Sequence, residues 1–95
     1  MSYITIDTCQ ARINELTSRL TVLDTRYNLD IVQRDADLKI ILGDTWANLS
    51  PSTQLATALD AYNYVLELDN LDKLIIRYVE EGNELQARIN VLKSQ

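Results

Sequence analysis

The side chains of this sequence best suited to chemistry are arginines beside tyrosines. Arg26 precedes Tyr27, Arg77 precedes Tyr78, and Tyr62 and Tyr64 add a further aromatic pair. A guanidinium stacked on aromatic rings can clamp a flat anionic ligand such as a nucleotide. The same tyrosines at helical spacing also serve as core, burying their rings and leaving their hydroxyls at the water. For rings on a helix seam the core role is the commoner one.

Most other chemistry is excluded by composition. There is no histidine and one cysteine, so the usual general base, nucleophile pairs and zinc ligand sets are missing. Asp35 and Asp37 fall on different faces of a helix, and Glu80, Glu81 and Glu84 are interrupted by Gly82-Asn83. Neither group matches a calcium loop, and both read as solvated surface. No glycine-rich phosphate loop is present. The chain is therefore expected not to be an enzyme and to carry no cofactor or metal. Its net charge of −5, with lysines and arginines scattered, argues against nucleic acid or an anionic membrane as partner. Cys9 lies on an apolar helix face and reads as a small buried hydrophobe. No apolar run reaches the ~18 residues of a membrane span, and Met1-Ser2-Tyr3-Ile4 lacks a basic leader. A cytoplasmic setting is expected, or the host cytoplasm for a viral protein.

The elements that must position these side chains are long helices. With two glycines and one proline in 95 residues there are few turns to be made. Asp7 and Gln10 have the spacing of a helix cap, with Ile6 outside it to staple onto Ala11, and Tyr3–Ile6 reads as a short extended arm. Cys9, Ile13, Leu16, Leu20, Leu23 and Tyr27 then alternate steps of four and three, the 3.5-residue repeat of a coiled coil. Beyond Tyr27 the apolar positions pass to Ile31, Leu38 and Leu42. That predicts a stutter in a continuous helix, or else a break at Asn28–Asp30. Gly43 supplies a left-handed residue to end the helix. Residues 43–50 form a loop in which Trp46 and Leu49 fold back as an end plug. Ser50-Pro51 caps and opens a second helix.

The second seam runs Ala61, Tyr64, Leu68, Leu71, Ile75, Tyr78, Gly82, Leu85, Ile89 and Leu92, predicting one helix with a close approach at Gly82, or else a break there before an Asn83 cap with Gln86 three residues on. Upstream, Leu55, Ala58, Leu59, Tyr62 and Leu66 follow a shifted phase. Antiparallel pairing of the two seams keeps the sum of facing residue numbers constant. Ile13 then meets Tyr78, Leu16 Ile75, Leu20 Leu71, Leu23 Leu68, and Tyr27 Tyr64, with the turn centred near Trp46. In this register Arg12, Arg19 and Arg26 face Glu81, Leu74 and Glu67. Two acidic partners favour a structural role over a phosphate-reading stripe.

These observations define an all-α chain: one helical domain over residues 1–95, with helices about 7–42 and 51–93 forming a long antiparallel, coiled-coil-like hairpin. One hairpin seam leaves apolar residues uncovered. They are Val65, Leu74, Ile76 and Val79 on the second helix and Val22, Leu29, Val32 and Ile40 on the first. Either the first helix folds back near Asn28 as a three-helix bundle, or hairpins associate, most simply as a two-fold four-helix bundle, with larger oligomers also possible. The expected role is protein–protein interaction, as a self-assembling adaptor or structural component. The alternative is a virus-type counter-defence inhibitor or decoy, which blocks a basic site or sequesters a small nucleotide signal between subunits.

Overall fold

A computed structural model describes residues 5–95. It is all-helical: α1 spans Ile6–Ile41, a 3-10 turn covers Trp46–Asn48, and α2 spans Pro51–Lys93. This is the element order of a helical hairpin.

The start of α1 differs from expectation. Thr5 is the cap: its Oγ1 accepts from Thr8 N–H at 3.1 Å, while Thr8 Oγ1 accepts from Thr5 N–H at 3.3 Å. Two threonines three residues apart satisfy each other's amides reciprocally, as a capping box requires. The helix therefore begins ahead of Asp7, which falls in the first turn and there complements the positive helix terminus. Ile6 is helical, so it cannot staple from outside the cap, and Gln10 donates to Asn14 Oδ1 at 3.1 Å. Tyr3 and Ile4 lie outside the described residues.

Helix α1 does not break at Asn28 and does not fold back as a third helix. At its end Gly43 N–H reaches the Ile40 carbonyl at 3.2 Å, a tightened last turn. No described glycine has positive φ, so Gly43 does not supply the left-handed residue expected of it. Glycine is required for space: a Cβ there would lie 2.9 Å from the Lys39 carbonyl oxygen. Trp46 and Leu49 are half-buried, and Gln54 Nε2 donates to the Trp46 carbonyl at 2.8 Å. Ser50 caps α2, its Oγ accepting from Thr53 N–H at 3.2 Å, with Pro51 as the first helical residue. Helix α2 passes through Gly82 without interruption. A Cβ at Gly82 would meet nothing within 4 Å, so the expected close approach is not there.

The chain divides into two compact units, each made from part of both helices. One joins the chain up to Asp24 with Asp72–Gln95; the other is Thr25–Leu71. In the first, Cys9, Leu16, Leu85 and Ile89 are buried together, with Ile13 and Tyr78 packed against them. Arg12 clamps Glu81 with two bonds, Nε to Oε2 at 2.5 Å and Nη2 to Oε1 at 3.0 Å. Arg12 Nη1 also meets Glu15 at 3.1 Å, and Arg19 Nη2 meets the same Glu15 oxygen at 2.7 Å. The flank pair Arg12–Glu81 expected from the heptads is realised here, with Ile13 and Tyr78 packed against the same core.

In the second unit Ala61, Leu68 and Leu71 are buried, and Arg26 pairs with Glu67, the other expected flank pair. The rest of its seam is not the expected one. Asp30 is buried at 5% exposure; of the expected Ile31, Leu38 and Leu42, Ile31 is half-buried and the other two are exposed. Arg34 and Asp37 are half-buried on α1, as are Gln54 and Thr57 on α2. From Tyr27 the steps Asp30, Arg34, Asp37 and Ile41 continue the heptad without a slip. Read backward from Ala61, Thr57 and Gln54 do the same. There is no stutter in α1, and the phase of α2 does not shift in its N-terminal quarter. A register pinned by Arg26–Glu67 and the buried Ala61, Leu68 and Leu71 runs on through polar residues, because a phase change would require both helices to over- or unwind.

Candidate interaction faces

Where the seam of Thr25–Leu71 turns polar, apolar side chains are left outside it. On α2, Leu55, Leu59, Tyr62 and Leu66 recur at steps of four, three and four, and they are 61, 52, 58 and 45% exposed. They form a second heptad-like stripe on the helix face turned away from Gln54, Thr57 and Ala61. Of the residues expected to form an interface, Val65, Leu29, Val32 and Ile40 lie in this unit and are all exposed. Val22, Ile76 and Val79 lie in the other unit and are also exposed. Leu74 is half-buried there, lining a groove of about 410 Å³ with Val22, Leu23, Arg19 and Tyr78. A second groove of about 400 Å³ on that unit is lined by Thr17, Leu20, Thr21, Asp24 and Ile75.

Inside the polar seam, carboxyl groups face carboxyl groups. Asp30 lies within hydrogen-bond reach of Glu67, and Asp37 of Asp60. Oδ2 of Asp30 and Oδ2 of Asp37 are buried and meet no hydrogen-bond donor. Burial raises both aspartates, and the neighbouring carboxylate raises them further. Glu67 is held below its ordinary value, chiefly by its bond to Arg26. Of the two, Asp30 is the one that takes up a proton first as pH falls. The Tyr64 hydroxyl is raised by burial and by the surrounding Asp60, Asp30, Asp37 and Glu67. Asp37, expected to be solvated, is half-buried, with its Oδ2 out of reach of water. Asp35 is exposed and paired with Arg34 at 3.1 Å. Among the described residues no group of three or more candidate ligands is placed to hold a metal ion.

The residues suited to stacking a ligand are divided between the units. Arg26, Tyr27, Tyr62 and Tyr64 belong to Thr25–Leu71, and Arg77 and Tyr78 to the other. Tyr62 is exposed, whereas Tyr27 and Tyr64 are half-buried on the seam. The guanidinium that reaches Tyr78 is that of Arg19, which donates to its hydroxyl at 3.3 Å and stands 6.0 Å from the ring centre. Arg19 is in turn engaged by Glu15, as Arg26 is by Glu67.

Comparison with protein-family models, curated proteins and solved structures finds no significant match. Among the described residues no helix is long and apolar enough to cross a membrane. Hydrophobicity found Leu55, Leu59, Tyr62 and Leu66 but assigned them to a shifted seam, and it passed over Asp30 and Asp37. Extending the pairing constant past Tyr27–Tyr64 puts Asp30 opposite Ala61, Arg34 opposite Thr57 and Asp37 opposite Gln54.

Proposed function

We propose that this protein acts without catalysis, by packing its helices against other helices: first those of further copies of itself, then those of a partner protein, as an adaptor or structural component. The reading is carried by the part of Thr25–Leu71 nearer the turn, where Asp30, Arg34 and Asp37 of α1 and Gln54 and Thr57 of α2 lie on the seam while Leu55, Leu59 and Leu66 lie outside it. Fully burying a leucine or tyrosine side chain is worth ~1.5–3 kcal/mol, so Leu55, Leu59, Tyr62 and Leu66, each about half exposed, hold roughly 3–6 kcal/mol per chain in reserve. An isolated chain gains none of it; assembly does. The ion pairs contribute little net affinity but set orientation. Multi-angle light scattering on the purified chain at micromolar concentration tests this. The expected result is a mass that is a multiple of 10.9 kDa, falling on dilution. A constant 10.9 kDa up to 100-fold higher concentration would overturn it.

A further inference from the structure

The outer stripe of α2 is complementary to itself. Resting on the reading that copies of the chain associate, we infer that a second copy docks on this stripe in a two-fold, antiparallel arrangement centred between Asp60 and Ala61. Two-fold packing pairs residues whose numbers have a constant sum. About that centre Leu55 meets Leu66 of the second copy, and Leu59 meets its Tyr62. Each of these apolar residues meets another, and the steps of four, three and four match those of an antiparallel seam. The flanks agree: Ala58 falls beside Val65 of the second copy, and Ala56 beside its Asn63. No like charges are brought together. Between Pro51 and Leu66 the one charged residue is Asp60, and its carboxyl is turned to Asp37 in the seam. Ala56 and Ala58 let the two backbones approach, and Tyr62 can bury its ring while its hydroxyl stays at the rim.

The stripe is open to be covered: its four side chains are 45–61% exposed over about three turns of helix. The neighbouring outer positions Asp69, Asp72 and Lys73 are charged and end the stripe, so the apolar segment is the one that the two-fold register pairs with itself.

Disulfide trapping in the full-length chain tests the register. Chains carrying Leu55→Cys and chains carrying Leu66→Cys are oxidised separately and as an equal mixture, with the unsubstituted chain as control for Cys9. The mixture is expected to form covalent dimer at least tenfold more than either chain alone. In this register two Leu55→Cys residues are about 16 Å apart along the axis, too far to bond. Leu55→Cys chains that cross-link as well alone as when mixed would overturn the antiparallel stripe. So would an absence of mixed dimer in a chain that light scattering finds oligomeric, and self-association through another face would then stand. A chain that scatters only as monomer and forms no mixed dimer overturns both readings.

Discussion

Replacing Asp30 by asparagine should stabilise this protein near neutral pH, and the gain should shrink in acid. Asp30 is buried at 5% exposure, and its Oδ2 has no donor. A buried polar atom left without a partner costs roughly 1–3 kcal/mol. Asparagine keeps the shape, removes the charge, and turns an amide N–H toward Glu67, which Arg26 holds ionised. For a chain of this size 1 kcal/mol shifts Tm by about 4–8 °C, so Asp30→Asn should melt several degrees higher at pH 7.5. The sign of the pH dependence follows from the raised pKa of Asp30, caused first by burial and then by Glu67. A carboxyl raised on folding binds its proton more tightly in the folded chain. Its stabilising contribution is complete below the unfolded value near ~4 and is lost as pH rises through the folded one. At pH 4 Asp30 supplies its own proton, and the variant has little left to gain. The assay is thermal unfolding followed by circular dichroism at 222 nm, at one protein concentration because association shifts Tm. A variant that melts lower at pH 7.5, or a gain equal at both pH values, would refute the reasoning.

The other consequences are checked by the same melts. Gly82→Ala should stabilise by about 1 kcal/mol, because the helix interior prefers alanine and a Cβ there meets nothing within 4 Å. Gly43→Ala should destabilise by about 1–3 kcal/mol, since its Cβ would press on the Lys39 carbonyl at 2.9 Å; an unchanged Tm would show that the turn gives way freely. Reversing Arg12 and Arg26 to Glu should lower Tm, and adding Glu81→Arg with Glu67→Arg should restore part of it; no restoration would sink the register. Arg12 holds Glu81 below the ordinary carboxylate value, so this pair stabilises above that value and is lost as pH falls through the lowered one. Glu81→Gln should therefore cost stability at pH 7 and nothing at the acid end.

How much of this was legible in the sequence depended on whether hydrophobicity and register agreed. In the unit built from Cys9, Leu16, Leu85 and Ile89 they agree, and both the core and the Arg12–Glu81 clamp follow from the seven-residue spacing. Between Thr25 and Leu71 they part. Following leucines and isoleucines leads from Tyr27 to Ile31, Leu38 and Leu42, whereas the structure continues to Asp30, Arg34 and Asp37. A stripe of apolar residues marks what a helix must bury, but not against which neighbour. Capping failed for a related reason: Thr5 and Thr8 serve as cap and counter-cap as well as Asp7 and Gln10 could, and side-chain type alone does not rank two such pairs two residues apart.

The two disagreements in Thr25–Leu71 have one cause. Acids at the seam and leucines outside each weaken an isolated hairpin, since burying Asp30 and Asp37 costs desolvation and exposing Leu55, Leu59 and Leu66 forgoes burial. A sequence under pressure only to pair α1 with α2 would exchange the two sets. Keeping both is explained when the outer stripe is covered by another copy. The leucines then count as core, and the acids at the inner seam keep the hairpin from turning its apolar side inward and hiding the stripe. On this account the inner seam is weak so that the outer one stays available, and the pair of helices is half of a structure whose other half is supplied by association.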